Sequence, residues 1–132
     1  MNNLDKIVIG FNAPYAVMNT LAPKQAWEPI MPGLFDGGKT GDGAEKLCRF
    51  CGVISAASTA ATYVVAKSGN DELKKQMRVI NGATMIGSAA CLSQFDEDKD
   101  FNNSSFAKPF KYGNMALQIG IGAALLKDGL GK

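Results

Sequence analysis

Four long stretches of this chain contain no charged side chain: Ile7–Pro23, Phe50–Ala66, Val79–Phe95 and Tyr112–Leu126. Each stretch is roughly 15 to 17 residues long, so a helix through one of them would be about 25 Å long, slightly shorter than the hydrocarbon core of a bilayer. Nearly all of the charged residues lie between these stretches. This layout leaves two architectures open: helices embedded in a membrane, or a small water-soluble helical bundle.

Composition narrows the functional classes. The chain has 132 residues, enough for one domain with a single core. Its net charge of +2 comes without a basic run, so no nucleic-acid partner is predicted. There is no histidine, which removes the usual general base at neutral pH and the commonest metal ligand. The sequence therefore predicts a protein that is not an enzyme and has no metal site.

The first part of the chain is the least regular. Pro14 interrupts the first uncharged stretch and Gly10 weakens it, which predicts a broken first helix over 14–21. A loop rich in glycine and proline follows over 22–43.

The remainder of the chain predicts three longer helices, over 43–67, 71–93 and 109–127. Asn70 is a good N-cap for the second of these, and a tight turn before it makes the first two an antiparallel hairpin. The predicted fold class is thus all-α: a single domain, 1–132, built as a small bundle of three to four antiparallel helices.

The predicted helix over 43–67 has two different faces. One face is apolar, and the other holds small, weakly polar side chains. Rows of small residues let helix backbones approach closely, which matters most in lipid; the alternative is that alanine is simply the best helix former. The apolar face comprises Phe50, Val53, Ile54, Ala57, Ala61, Val64 and Val65, and the small face Cys48, Cys51, Gly52, Ser55, Ser58, Thr59 and Thr62.

The choice between membrane and water depends on where charge is missing. A helix face in water has no reason to exclude Lys and Glu for about four turns, as these helices do. Against a membrane, the mean hydropathy of the chain is only −0.02, and Lys and Arg divide equally between the two sides, so the positive-inside rule gives no orientation. Weakly apolar helices can still be buried among other membrane helices. We therefore expect a membrane-embedded chain packed against a larger complex.

Two motifs have a possible chemical meaning. Residues 33–40 match the phosphate-binding pattern G-x-x-x-x-G-K-[ST], but no apolar strand precedes them and no helix start is predicted at the Lys-Thr pair, so we expect a turn. Cys48 and Cys51 form a C-x-x-C pair. A thiol redox role for this pair is one alternative function, although the pair falls inside a predicted helix and not at its N-terminus.

Two sets of candidate contact residues follow. If the chain holds a pigment or a lipid, the amide side chains in or next to the helices are the possible ligands, since histidine is missing. The segment with the single tryptophan is the best candidate for contacting a partner protein. The first set is Asn81, Gln94, Asn114 and Gln118, and the second is Trp27, Pro29, Met31, Leu34 and Phe35.

In size and in its helices rich in glycine and alanine, the chain resembles accessory subunits of energy-transducing membrane complexes, photosynthetic or respiratory. No individual motif supports this resemblance. It implies a non-catalytic subunit that stabilises assembly, contacts pigments or lipids, and lies in an organellar or bacterial inner membrane, with the thylakoid or mitochondrial inner membrane favoured. The other alternative is a soluble helical module that encloses a small ligand.

Overall fold

The computed structural model describes residues 1–35, 41–101 and 104–131, and within these ranges the chain is helical and contains no strand. The all-α prediction is therefore confirmed. The described part holds five α-helices and one short 3₁₀ turn at Pro32–Leu34. The helices are α1 (Asn3–Leu21), α2 (Pro23–Trp27), α3 (Gly41–Lys67), α4 (Asp71–Leu92) and α5 (Ser104–Gly129).

The first helix is longer than the predicted span of 14–21, and that prediction was wrong at its start. α1 begins at Asn3 because a capping box precedes it: the Asp5 amide donates to Asn2 Oδ1 (2.9 Å) and the Asn2 amide donates to Asp5 Oδ2 (3.0 Å). Pro14 lies inside the helix on its exposed side. The ring crowds the carbonyl of the residue four positions earlier, and that residue is Gly10, which is also exposed.

Other boundaries differ less. α3 and α4 begin and end within two residues of the predicted spans 43–67 and 71–93, and Asn70 caps α4 by accepting the Leu73 amide at 3.0 Å. The predicted loop over 22–43 contains α2 and the 3₁₀ turn, with its residues 36–40 outside the described part. α5 begins at Ser104 and not at 109, so Pro109 lies inside it.

The helices pack mainly as two pairs, α1 with α3 and α4 with α5. Glycines bring each pair close: a Cβ at Gly52 would lie 2.5 Å from the backbone nitrogen of Thr20, and one at Gly82 would lie 2.8 Å from the carbonyl oxygen of Gly122. The tight turn between α3 and α4 is present, but these two helices contact each other at few points. The predicted hairpin is therefore a connection in the chain more than a packed unit.

Two apolar clusters join these parts. Val8, Met85 and Leu125 form the first, where α1, α4 and α5 meet. The second lies where residues 30–34 meet the loop after α4 and the start of α5, and Ala107 is fully buried in it. Its members are Met31, Phe101 and Ala107, packed against Ile30, Leu34, Phe95 and Phe110.

Side-chain contacts show which helix ends lie together. Arg78, near the start of α4, contacts Asp5 of α1 and Asp128 of α5; we call this side of the bundle the Arg78 end. Arg49 of α3 donates to the carbonyl oxygen of Thr20, at the other end of α1, and this side is the Arg49 end. Because the helices run between these ends, the four uncharged stretches lie side by side. They form a band without charge across the middle of the bundle.

Candidate functional site

Helix α3 turns its small, weakly polar face towards the bundle and its apolar face outward. Its large apolar side chains point outward: Phe50 is 63% exposed, Ile54 52% and Val64 66%. The residues that it buries are small or weakly polar, including Gly52 and Thr62. A helix in a water-soluble bundle buries its apolar stripe and exposes its polar one. α3 is therefore suited to surroundings more apolar than the bundle itself.

The other long helices extend this apolar surface around the uncharged band. Val17 of α1, Ile80 of α4 and Leu117 of α5 are each at least half exposed. The total accessible surface is 7758 Å², against about 6,700 Å² for a compact monomer of this mass. The chain therefore exposes more surface than a compact monomer of its mass, and many large apolar side chains of the long helices are among the exposed ones.

One helix in the described part of the chain is long and apolar enough to cross a membrane. It is the α3 segment Gly43–Lys67, with a mean hydropathy of 1.3, and only 11% of its apolar window is buried within the bundle. A core helix of a soluble protein would pass the same test of length and composition, but most of it would be buried. The low burial of α3 separates it from that case, while hydropathy by itself remains weak support for a membrane.

Between α3 and α4, inside the band, lies a buried polar pair. Asn81 is 4% exposed and Thr62 3%. The Asn81 amide nitrogen donates to Thr62 Oγ1 at 3.0 Å, and that hydroxyl donates to the Ser58 carbonyl at 2.9 Å. A buried amide is stabilised only when it is hydrogen-bonded. The pair therefore holds the two helix pairs in one register.

The four predicted pigment or lipid ligands occupy different environments. Asn81 is already bound to Thr62, and Gln94 is exposed beyond α4, where it donates to Ser93 Oγ. Asn114 donates to the Phe110 carbonyl at 2.7 Å. Gln118 lies one turn further along α5, and its Oε1 is enclosed without a partner among the described residues. None of the described hydrogen bonds joins two of the four, and Asn114 and Gln118 are the two that lie one turn apart on a single helix.

The predicted partner-binding segment is mostly internal. Met31 and Phe35 are each 4% exposed, and Met31 belongs to the second apolar cluster, against which Leu34 packs. In this structure the side chains of Met31 and Phe35 therefore point into the described chain and not towards a partner surface. The short α2 and the 3₁₀ turn fold these apolar side chains inward. Trp27 is half-buried; its Nε1 donates to Asn19 at 3.1 Å and its ring lies 6.0 Å from that of Tyr15. Of the five predicted contact residues, Pro29 alone is exposed.

The cysteine pair lies well inside α3. Cys48 is half-buried, Cys51 is exposed, and both are free thiols. A helix N-terminus stabilises a thiolate within its first turn. Seven residues of α3 precede Cys48, so Cys48 lies beyond that turn. The structure thus gives the redox alternative no additional support.

Charged side chains form a compact cluster at the Arg78 end. Arg78 donates to both carboxylate oxygens of Asp5 at 3.0 Å and to Asp128 at 2.6 Å. Burial would raise the pKa of Asp5, but the hydrogen bonds from Arg78 and from the Asn2 amide outweigh it, so this pKa is lowered. The cluster ties together the start of α1, the start of α4 and the end of α5.

A second charged cluster closes the Arg49 end. Lys111 is 6% exposed, and its Nζ donates to the Phe95 carbonyl at 2.7 Å and to Glu97 at 3.3 Å. Hydrogen bonds from Tyr112 and Lys111 lower the pKa of Glu97. Sequence reasoning missed both clusters, although their position at the edges of the uncharged stretches was visible.

Beside the charged cluster of Asp5, Arg78 and Asp128 lies a cleft of about 460 Å³ between the start of α1 and the first two turns of α4. We call it the Lys74 cleft. It is lined by Met1, Asn2, Asp71, Lys74, Lys75 and Arg78. In the described part of the chain, no group of three His, Cys, Asp or Glu side chains is placed to hold a metal ion.

Comparison of the chain with protein-family models, with curated proteins and with solved structures finds no match. Any functional inference therefore rests on the geometry described above.

Proposed function

We propose that this protein is a non-catalytic accessory subunit embedded in a membrane and packed against a larger protein complex. The observation that supports this most is the reversed α3, with Phe50, Ile54 and Val64 outside and Gly52 and Thr62 inside. In water, turning α3 to bury its apolar stripe would be favoured by the hydrophobic effect. In lipid that drive is absent, and close packing of small residues together with polar pairing holds helices together.

The dimensions of the uncharged band agree with this proposal. With 1.5 Å of rise per residue, the uncharged parts of α1, α3, α4 and α5 are about 21–25 Å long. The hydrocarbon core is about 27–33 Å thick in different membranes. Lys and Arg at both edges of the band, such as Arg49 and Lys67 on α3, can extend their charged ends towards the headgroups and make up part of the difference.

A larger protein neighbour is inferred from the other helices. α4 exposes Thr84, Gly87 and Ser88 on its outer side, and hydroxyl groups and glycine give lipid little apolar contact. Such faces in membrane proteins turn towards protein. A bundle with one strongly apolar helix and three mixed ones is therefore expected to have lipid on one side and a partner on the other. The complex that we favour is an energy-transducing one, photosynthetic or respiratory, in the thylakoid or mitochondrial inner membrane.

The test is extraction of native membranes with alkaline carbonate, followed by detergent phase partitioning of the pellet. We expect the protein to resist carbonate and to enter the detergent phase. Solubilisation in a mild detergent and native electrophoresis should then place it in an assembly much larger than its 13.9 kDa. Release by carbonate as a monodisperse protein would refute the proposal and support the soluble ligand-binding module. A chain that is integral but migrates alone would refute only the accessory role.

A further inference from the structure

We propose that the Lys74 cleft binds the phosphate of an anionic lipid headgroup, which deepens the membrane role proposed above and rests on it. The cleft lies at the Arg78 end, next to the edge of the uncharged band. Lys74, Lys75 and Arg78 line it, with Asp71 as the one carboxylate. A chain embedded through its band would therefore present these lysines at the level of the headgroups.

The two lysines are available to a phosphate in different ways. Lys75 is exposed, and within the described residues its Nζ makes no ion pair. Lys74 has 20% of its side chain exposed, and its Nζ lies 3.1 Å from Asp71, whose side chain is 87% exposed. An ion pair this exposed to water contributes little stability. A phosphate can therefore replace the carboxylate as the partner of Lys74 at small cost.

The surroundings of the cleft add to its attraction for an anion. It opens at the N-terminus of the 22-residue helix α4, where unpaired amides and the helix dipole favour negative charge. Arg78 makes three hydrogen bonds to carboxylates, and a guanidinium has five N–H groups. Asp5 and Asp128 carry two negative charges against the one positive charge of Arg78. Arg78 therefore supplies the remaining N–H donors and a rigid wall, and Lys74 and Lys75 supply the positive charge.

Net charge also separates the two ends of the bundle. Of the side chains that the structure describes, the Arg78 end holds six Lys or Arg and four Asp or Glu, a net charge of +2. The Arg49 end holds six of each, a net charge of zero, with the acidic segment 96–100 among them. The Arg78 end is therefore expected to face the leaflet richer in anionic lipid.

The experiment is native mass spectrometry of the full chain in detergent micelles doped with phosphatidylglycerol or phosphatidylcholine. We expect preferential retention of phosphatidylglycerol. Each lysine near an anionic surface contributes about fivefold to binding, so K74Q/K75Q should weaken retention by about thirtyfold. D71N, which frees Lys74, should strengthen it. The matched control is K46Q/K108Q, which removes two exposed lysines at the Arg49 end and should leave retention unchanged.

Three results would overturn the assignment. They are equal retention of the two lipids by the wild-type chain, an equal loss in the control variant, and displacement of the lipid by inorganic phosphate at comparable concentration, which would indicate a site for a free anion. Circular dichroism of each variant separates misfolding from loss of binding. The two proposals fail separately, because carbonate release of the wild type contradicts embedding, whereas an integral chain without lipid preference contradicts only the headgroup site.

Discussion

A lysine placed in the middle of the outward face of α3 tests whether that face contacts lipid. Ala57 is exposed and has no large side chain to lose, so Ala57→Lys adds a charge without opening a cavity. In water an exposed substitution of this kind changes the free energy of unfolding by less than about 0.5 kcal/mol. In a membrane the same lysine must be buried in hydrocarbon or reach the headgroups.

The structure gives the size of the effect. Ala57 lies seven residues after the start of the uncharged stretch Phe50–Ala66 and nine before its end, which is about 10 and 14 Å along the helix axis. The four-carbon stem of lysine covers only part of either distance. Lysine near the centre of a spanning helix costs about 3 kcal/mol, which is about a hundredfold in the insertion equilibrium.

The assay is the fraction of newly made protein that resists carbonate extraction, with a matched control at the edge of the band. Leu47 is also on α3 and 62% exposed, but it lies outside the uncharged stretch, so Leu47→Lys can place its charge among the headgroups. We expect Ala57→Lys to lose most of its membrane-integrated fraction and Leu47→Lys to keep it. Equal integration of both variants would show that the outward face of α3 does not lie in hydrocarbon.

Three further predictions concern the thermal stability of the purified chain, followed by circular dichroism. Gly82→Ala should destabilise the chain by about 1–3 kcal/mol, because the new Cβ would lie 2.8 Å from the carbonyl oxygen of Gly122 in α5. Gly120→Ala is the control: its Cβ would have nothing within 4 Å, so it should stabilise the chain by up to about 1 kcal/mol. Equal melting temperatures of the two variants would contradict the close approach of α4 and α5. Because the pKa of Asp5 is lowered in the folded state, the contribution of Asp5 to stability is fully present above the unfolded pKa of about 3.9 and is lost as the pH falls through the folded pKa. Asp5→Asn should remove about 2–3 kcal/mol of stability near neutral pH and flatten this acid dependence. A similar loss in the exposed control Asp71→Asn would refute the role of the Asp5–Arg78 pair. Thr62→Val should lower the free energy of unfolding by about 0.6–2 kcal/mol, because it leaves the buried side-chain amide of Asn81 without its partner. An unchanged melting temperature would show that the Thr62–Asn81 pair does not hold α3 and α4 in register.

Local rules predicted part of the fold well. Asn70 is a capping residue whose side chain accepts the Leu73 amide, so the start of α4 could be read from the sequence. The same rules place the start of α1 wrongly at Pro14, because the capping box of Asn2 and Asp5 begins the helix eleven residues earlier, at Asn3. A proline stops a helix only where its missing donor and its ring cannot be accommodated, and the exposed side next to Gly10 accommodates both.

The candidate sites were harder to predict, because the sequence does not show which way a side chain points or what it packs against. Trp27, Met31 and Phe35 looked like contact residues because they are large and apolar in a segment rich in turns. The structure packs Met31 into one cluster with Phe101, seventy residues further along the chain, and it also buries Phe35. Similarly, Asn81 and Gln118 both carry an amide side chain, but Asn81 is hydrogen-bonded to α3, whereas the Oε1 atom of Gln118 is buried without a partner among the described residues.

The sequence by itself determined that this protein is helical, that charge is confined to the helix ends, and that α3 has one apolar and one small, weakly polar face. These are properties of residue type and spacing, which the chain carries in any environment. Only the tertiary structure decided which face of α3 turns inward. That choice depends on the close approach of Gly52 to α1 and on the pairing of Thr62 with Asn81, contacts between residues distant in the chain that periodicity within one helix cannot specify.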